Sequence, residues 1–275
     1  MIKDVLVHLS SADSKGIAPT FAAGLARASD AHVAGVAFAY EPIIGASVMG
    51  TMPSEFIEQQ RIENEQAANE ARVRFDEIAR REAVSAESHT YSTSMAGAAD
   101  HFGRMARRFD ISVVIQADQE TVPAEEMVAE AALFQSGRPV IVVPYVHTGV
   151  YKVDRVLVCW DAGRAAARAI GDALPVLRQA GQVEVVMVLG EEGKHDSIPG
   201  ADIGNHLARH GINVEVKRIV AKGHVQETLL SHAADMSADL VVMGGYGHSR
   251  LREFILGGVT RGMMRAMTLP CLMSH

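Results

Sequence analysis

The chain has 275 residues, 48% of them apolar, enough for one large domain or two ordinary ones with a real core. Lys and Arg total 26 against 33 Asp and Glu, a net charge of −7. That balance argues against a nucleic-acid or anionic-membrane partner, since phosphate surfaces demand a basic face. No run approaches the ~18 apolar residues of a membrane span, and "MIKDVLVHLSSADSKG" has too short an apolar run for a secretory signal. The two cysteines, Cys159 and Cys271, sit in apolar runs without a disulfide pattern, so the protein reads as cytoplasmic.

In chain order, the first apolar run is "DVLVHLSSADS", Asp4 to Ser14. A long polar helix is predicted over Glu55 to Ala83, with Phe56, Ile62, Ala67, Val73, Phe75 and Ile78 as an irregular apolar stripe expected to cover a sheet. "FDISVVIQAD" (Phe109 to Asp118) and "RPVIVVPYV" (Arg138 to Val146) are two more β-rich runs. A joint is read near "VHTGVYKVD", with Gly149 as the break. Strands then read as "DRVLVCW", "QVEVVMVL", "INVEVKRIV", "DLVVMGG" and "PCLMSH", with helices starting near Arg164, Asp202, Val225 and Gly258.

The chain is written twice. "DVLVHLSSADS" resembles "RVLVCWDAGRA", "FDISVVIQAD" resembles "ADLVVMGGYG", and "RPVIVVPYV" resembles "LPCLMSH", in the same order in both halves. The first copy is about 20 residues longer between its second and third strands. Domains are therefore expected over 1–148 and 152–275. Strands apolar over consecutive positions, alternating with helices, indicate a parallel sheet covered on both faces. Each copy is read as a five-stranded, Rossmann-like α/β domain.

"GGYGHSRLREFILGGVT", Gly244 to Thr260, packs five glycines into 17 residues after an apolar strand. A Gly-rich turn between strand and helix lets backbone N–H groups approach phosphate, and the next helix N-terminus adds its dipole. Thr260 adds a hydroxyl, and Arg250, Arg252 and Arg261 are candidates for neutralising charge. Asp161 closes "VLVCWD" at another strand end. Its carboxylate suits a ribose hydroxyl or base amino group, or it caps the following helix. Both features meet in one crevice if the first and fourth strands are neighbours. His206 and His210 stand at i,i+4, but a solvated helix face is favoured over a metal site. Met263, Met264 and Met267 read as core.

"VVMGGYGHSRLREFILGGVTRGMM" resembles the signature of the universal stress protein family, G-x-x-G, nine residues, then G with Ser or Thr. Gly244, Gly247 and Gly257 match it. The resemblance extends to the duplicated architecture, a tandem form of that family. It implies two adenine nucleotide alpha hydrolase-like domains and ATP, with Mg2+, in the C-terminal domain only. The residues it places around the nucleotide are Asp161, Val188, Met243, Gly244, Gly247, His248, Gly257, Gly258, Val259 and Thr260. It further implies an intramolecular pseudo-dimer through the last strands, further dimerisation, and a protein partner that reads the nucleotide state.

The chain departs from the signature at Gly258, where the family has Ser or Thr. One lost neutral hydrogen bond costs about 0.5–1.5 kcal/mol, a weakening rather than an abolition. In the first copy Ser10 stands for Asp161. Gln116, Ala117, Asp118 and Gln119 stand for Gly244 to Gly247, and Glu125 and Glu126 fall near the place of Gly257. Carboxylates there would repel a polyphosphate, so the first copy is expected not to bind ATP. No P-loop Lys, general base or second metal-binding carboxylate is evident, so no dedicated catalytic activity is expected. The rivals are a nucleotide-independent interaction protein, a slow ATPase or adenylate-transferring enzyme, and a small-molecule or lipid-like ligand site in the apolar first half.

Overall fold

The computed structural model describes residues 1–41, 54–118, 124–189, 200–221, 223–245 and 258–275. It is an α/β fold of two compact units, one of residues 1–138 and 148–151, the other of 139–147 and 152–275.

In the first unit, β1 (Asp4–His8), β2 (His32–Tyr40), β3 (Ala86–Thr93) and β4 (Ile111–Ile115) pair in parallel in the order β3-β2-β1-β4. β1 and β4 are buried throughout apart from Asp4, as continuous apolar runs require when both faces are covered. The helices are α1 (Ile17–Ser29), α2 (Ser54–Glu82), α3 (Met95–Ala106) and α4 (Ala124–Gln135). α2 packs on β2 and β3, as the sequence predicts. Its buried face is not the predicted stripe, however. Phe75 and Ile78 are buried, joined by Ala68, Ala71 and Ala79, whereas Phe56, Ile62 and Val73 are exposed. The spacing 68, 71, 75, 78 is the true helical seam. Small residues bring α2 close to the sheet, and Gly35 on β2 completes the fit: a Cβ there would lie 2.7 Å from the Phe75 ring.

The second unit holds β6 (Arg155–Cys159), β7 (Gln182–Leu189), β8 (Val214–Val220), β9 (Leu240–Gly244) and β10 (Cys271–Ser274), all parallel, in the order β8-β7-β6-β9-β10. β5 (Val140–Val143) adds to β10 as an antiparallel strand, with Val142 opposite Cys271. The helices are α5 (Arg164–Leu177), α6 (Gly200–Arg209), α7 (Val225–Asp235) and α8 (Val259–Ala266). Three of the four begin within one residue of the predicted starts. Met263 and Met267 are buried as expected, while Met264 is half-buried.

Strand register fixes which residues of the two copies correspond. Val5 pairs with Ile111 as Val156 pairs with Leu240. Ile115 therefore stands at the place of Gly244, and Gln116 at that of Gly245. This corrects by one position the expected match of Gln116 to Gly244. Likewise His8 opposes Val36 as Cys159 opposes Val186, so His8 stands for Cys159 and Phe38 for Val188.

Candidate functional site

β6 and β9 are neighbours at the point where strand order reverses in the second unit, so a crevice opens beyond their carboxyl ends. A cavity of about 270 Å³ lies there. Asp161 and Gly244 both line it, as the sequence predicts if these strands adjoin. Val188 of β7, Met243 of β9, and Val259 and Thr260 of α8 line it too. Gly258 is the cap residue at the start of α8. Gly247, His248 and Gly257, with Arg250 and Arg252, lie outside the described residues. Sequence reasoning missed Cys159 and Trp160 on the strand end before Asp161, Ala166 of α5, Val186, and Val225 and Leu229 of α7. Val186 was within reach, two residues from Val188 on the same strand face.

Three helices of this unit deliver their first turns to the cavity: α5 through Ala166, α7 through Val225, and α8 through Val259 and Thr260. Their cap residues are Gly163, His224 and Gly258, and none makes a side-chain capping hydrogen bond. Each helix start carries N–H donors that the helix itself cannot use, and roughly half a positive charge. Three helix starts without a side-chain cap thus border one hollow.

Asp161 is exposed, and its Oδ1 accepts the Gly163 N–H at 2.8 Å, so it shapes the turn from β6 into α5. Burial, reinforced by the Asp161 carboxylate, pushes the Cys159 thiol up to about 12, so it stays protonated and poorly nucleophilic at neutral pH. Gly244 is a glycine for a reason other than a left-handed turn. A Cβ there would lie 2.5 Å from the Ala166 nitrogen and 2.6 Å from the Ala165 carbonyl carbon, where α5 crosses β9. The next amide, Gly245, already donates to Ser274 O at 2.8 Å and is not offered to a ligand.

Beneath the cavity, Glu184 lies on the same face of β7 as Val186 and Val188. It is 1% exposed and bonded by Lys217 Nζ at 2.6 Å and by His232 Nε2 of α7. Burial alone would raise its carboxyl. The hydrogen bonds and charges of Lys217 and His232 outweigh that and hold it below the ordinary value.

The corresponding place in the first unit is built differently. Asp13 accepts the Ile17 and Ala18 amides at the start of α1, at 2.8 and 2.9 Å, and Ser94 caps α3. Ser10 Oγ donates to Glu125 Oε1 at 2.6 Å, placing a carboxylate of the first turn of α4 beside the end of β1.

Residues 152–275 match the model of the universal stress protein family. They form a universal stress protein domain. Universal stress protein Slr1230 of Synechocystis sp. is 35% identical over 66 residues, 24% of this chain and 22% of that protein. Universal stress protein MJ0577 of Methanocaldococcus jannaschii is 31% identical over 61 residues, 22% of this chain and 38% of that one. The matches thus span well under half the length of these curated relatives. The crystal structure of a universal stress protein from Archaeoglobus fulgidus DSM 4304 shares the fold over 98% of this chain and 95% of its own, with TM-score 0.68 and 17% identity. The same fold therefore runs through both copies. No helix among the described residues is long and apolar enough to cross a membrane.

Proposed function

We propose that the universal stress protein domain binds an adenine nucleotide, ATP with Mg2+, and acts as a nucleotide-dependent regulatory module without dedicated catalysis. The observation that carries this reading is the convergence of three uncapped helix starts on one cavity. Phosphates accept from those N–H groups. The apolar walls, Val186, Val188 and Leu229, suit a base, and Asp161 Oδ2 suits a ribose hydroxyl or exocyclic amine. Asp161 is the one carboxylate among the described lining residues, so the magnesium would be held chiefly by the phosphates and water. Gly247, His248, Gly257 and Gly258 remain the proposed phosphate loop.

The nucleotide belongs to the second unit alone in this reading. In the first, Phe38 and His8 replace Val188 and Cys159, and Asp13, Ser94 and Glu125 occupy the helix starts. A second reading, nucleotide-independent interaction, is favoured by Gly258, which offers no hydroxyl at the signature's last position.

The test is nucleotide content of the freshly purified chain, followed by calorimetric titration of ATP–Mg2+ into stripped wild type and Asp161→Ala. About one adenine nucleotide per chain, with affinity lost in the variant, supports the proposal. No nucleotide and no heat up to millimolar ATP would leave the second reading standing.

A further inference from the structure

α7 walls the cavity of the second unit from a thin apolar seat. It buries two side chains, Leu229 and Ala233, and its cap residue makes no side-chain hydrogen bond. Its counterpart in the first unit is α3, which likewise joins the third strand of its copy to the fourth. α3 buries six residues, Phe102 and Met105 among them, and is capped by Ser94. Apolar burial is the main hold of a helix on a sheet. By that measure α7 is held less firmly than α3.

What α7 has instead is a polar contact with the sheet. His232 Nε2 bonds Glu184 Oε1, and Lys217 Nζ donates to Glu184 Oε2 at 2.6 Å. His232 stands three residues after Leu229, on the same face of the helix, and Leu229 lines the cavity. Glu184 stands two residues before Val186, on the same strand face, and Val186 lines the cavity from the other side. The contact thus closes the space between α7 and β7 immediately beneath the cavity. In the first unit register puts Ala34 at the place of Glu184, because Val36 stands for Val186, so no such contact is made there. Taking a carboxylate out of water is costly, and an ion pair seldom outdoes apolar packing in the same space. What it adds is direction. A hydrogen bond weakens steeply off its preferred angle, so it is made in one position of the helix.

We propose that His232, bonded to Glu184, is the positioning residue of this cavity: it holds α7 against β7 and so sets the gap between Leu229 and Val186 that a ligand must fit. α7 in turn meets α8 closely, where a Cβ on Gly262 would lie 2.8 Å from Gln226 Cγ. A shift of α7 therefore reaches α8 and its Thr260 as well. That the occupant is a nucleotide rests on the function proposed above; the setting of the gap does not.

The test compares the wild-type chain with His232→Ala, which removes the bond, and His232→Gln, whose amide N–H can renew it. Trp160, the chain's single tryptophan, lines the cavity, so acrylamide quenching of its emission reports access to the cavity without any ligand. Quenching should rise in His232→Ala and return towards wild type in His232→Gln. Loss of a hydrogen bond to a charged group should speed amide exchange in α7 by about tenfold or more, with α5 unchanged. ATP–Mg2+ should bind His232→Ala about threefold to tenfold more weakly and regain affinity in His232→Gln. If His232→Ala does not fold, His232→Leu, which fills the space without a donor, decides the case. Wild-type quenching and exchange in the variant without the donor, exchange that rises alike in α5 and α7, ATP affinity equal to wild type, or no recovery in His232→Gln would overturn the proposal. Failure of the wild type to bind ATP would overturn the nucleotide reading alone, since quenching and exchange need no ligand.

Discussion

Replacing Gly244 by alanine tests why the signature begins with a glycine in this chain. The added methyl would lie 2.5 Å from the Ala166 nitrogen, 2.6 Å from the Ala165 carbonyl carbon and 2.8 Å from the Ala165 Cβ. Ordinary contacts are about 3.5–4.0 Å, so the first turn of α5 must retreat by roughly 1 Å. The obstructing atoms are mostly backbone, which cannot rotate away. Overpacking of this kind costs about 1–3 kcal/mol, and the upper half of that range is expected. β9 lies between β6 and β10, and α5 packs on both β9 and β10, so the whole unit should feel the change. Urea unfolding followed by Trp160 emission measures it. Adding Ala165→Gly removes only the 2.8 Å contact, so it should restore a minor part. A midpoint equivalent to within about 0.5 kcal/mol of wild type would refute the packing argument. If such a variant also lost nucleotide, Gly244 would serve the ligand and not the fold.

Acidification should weaken the first unit through His8. Its ring is neutral in the fold, with a value of about 4 against 6.5 when free. The unfolded chain therefore takes up a proton that the folded one refuses, and stability falls as pH drops from about 6.5 towards 4, by about 3 kcal/mol in all. Hydrogen exchange of β1 peptides should show this fall in wild type and a much flatter profile in His8→Leu; equal profiles would exonerate His8. Lys217→Met should cost the second unit about 1–2 kcal/mol, discounted because the lysine is half in solvent while Glu184 is dry. Because the Glu184 carboxyl is held below its ordinary value, its contribution is present above the carboxylate range and lost as pH falls through the folded value. Urea midpoints of the variant that match wild type at neutral pH would count against it. Thr260→Val keeps the shape of a residue 2% exposed. It should weaken ATP by about 0.5–1.5 kcal/mol, as read by calorimetry; unchanged affinity would move the hydroxyl out of the site.

Most of the fold was legible because duplication doubles the evidence. A run such as "VLVCW" is ambiguous alone, but its echo in "VLVHL" marks both as central strands. Asp161 and Gly244 were legible as a pair because strand order places them. The walls Val225 and Leu229 were not, because their approach to Val186 depends on how a helix about 40 residues away lies across the sheet. The seam of α2 was misread for a different reason. Phe56, Ile62 and Val73 advertise a stripe by hydropathy, whereas Ala68 and Ala71 win by letting the helix come near. The helix starts near Arg164, Val225 and Gly258 were legible, but not that the first turns of all three line one cavity.

The antiparallel pairing of β5 with β10 carries a consequence for how the chain can be made and divided. Val142 is synthesised well over a hundred residues before Cys271, its partner. The second unit therefore stays one strand short of complete until both copies have left the ribosome. Residues 139–147 belong to that unit, 148–151 return to the first, and 152 onward leave it again. Tyr151 is held there by the ring of Phe21 at 5.2 Å. A fragment beginning at Lys152 would leave the edge of β10, with Leu272 and Met273, open to pairing with other chains. No single cut of the backbone yields both units whole.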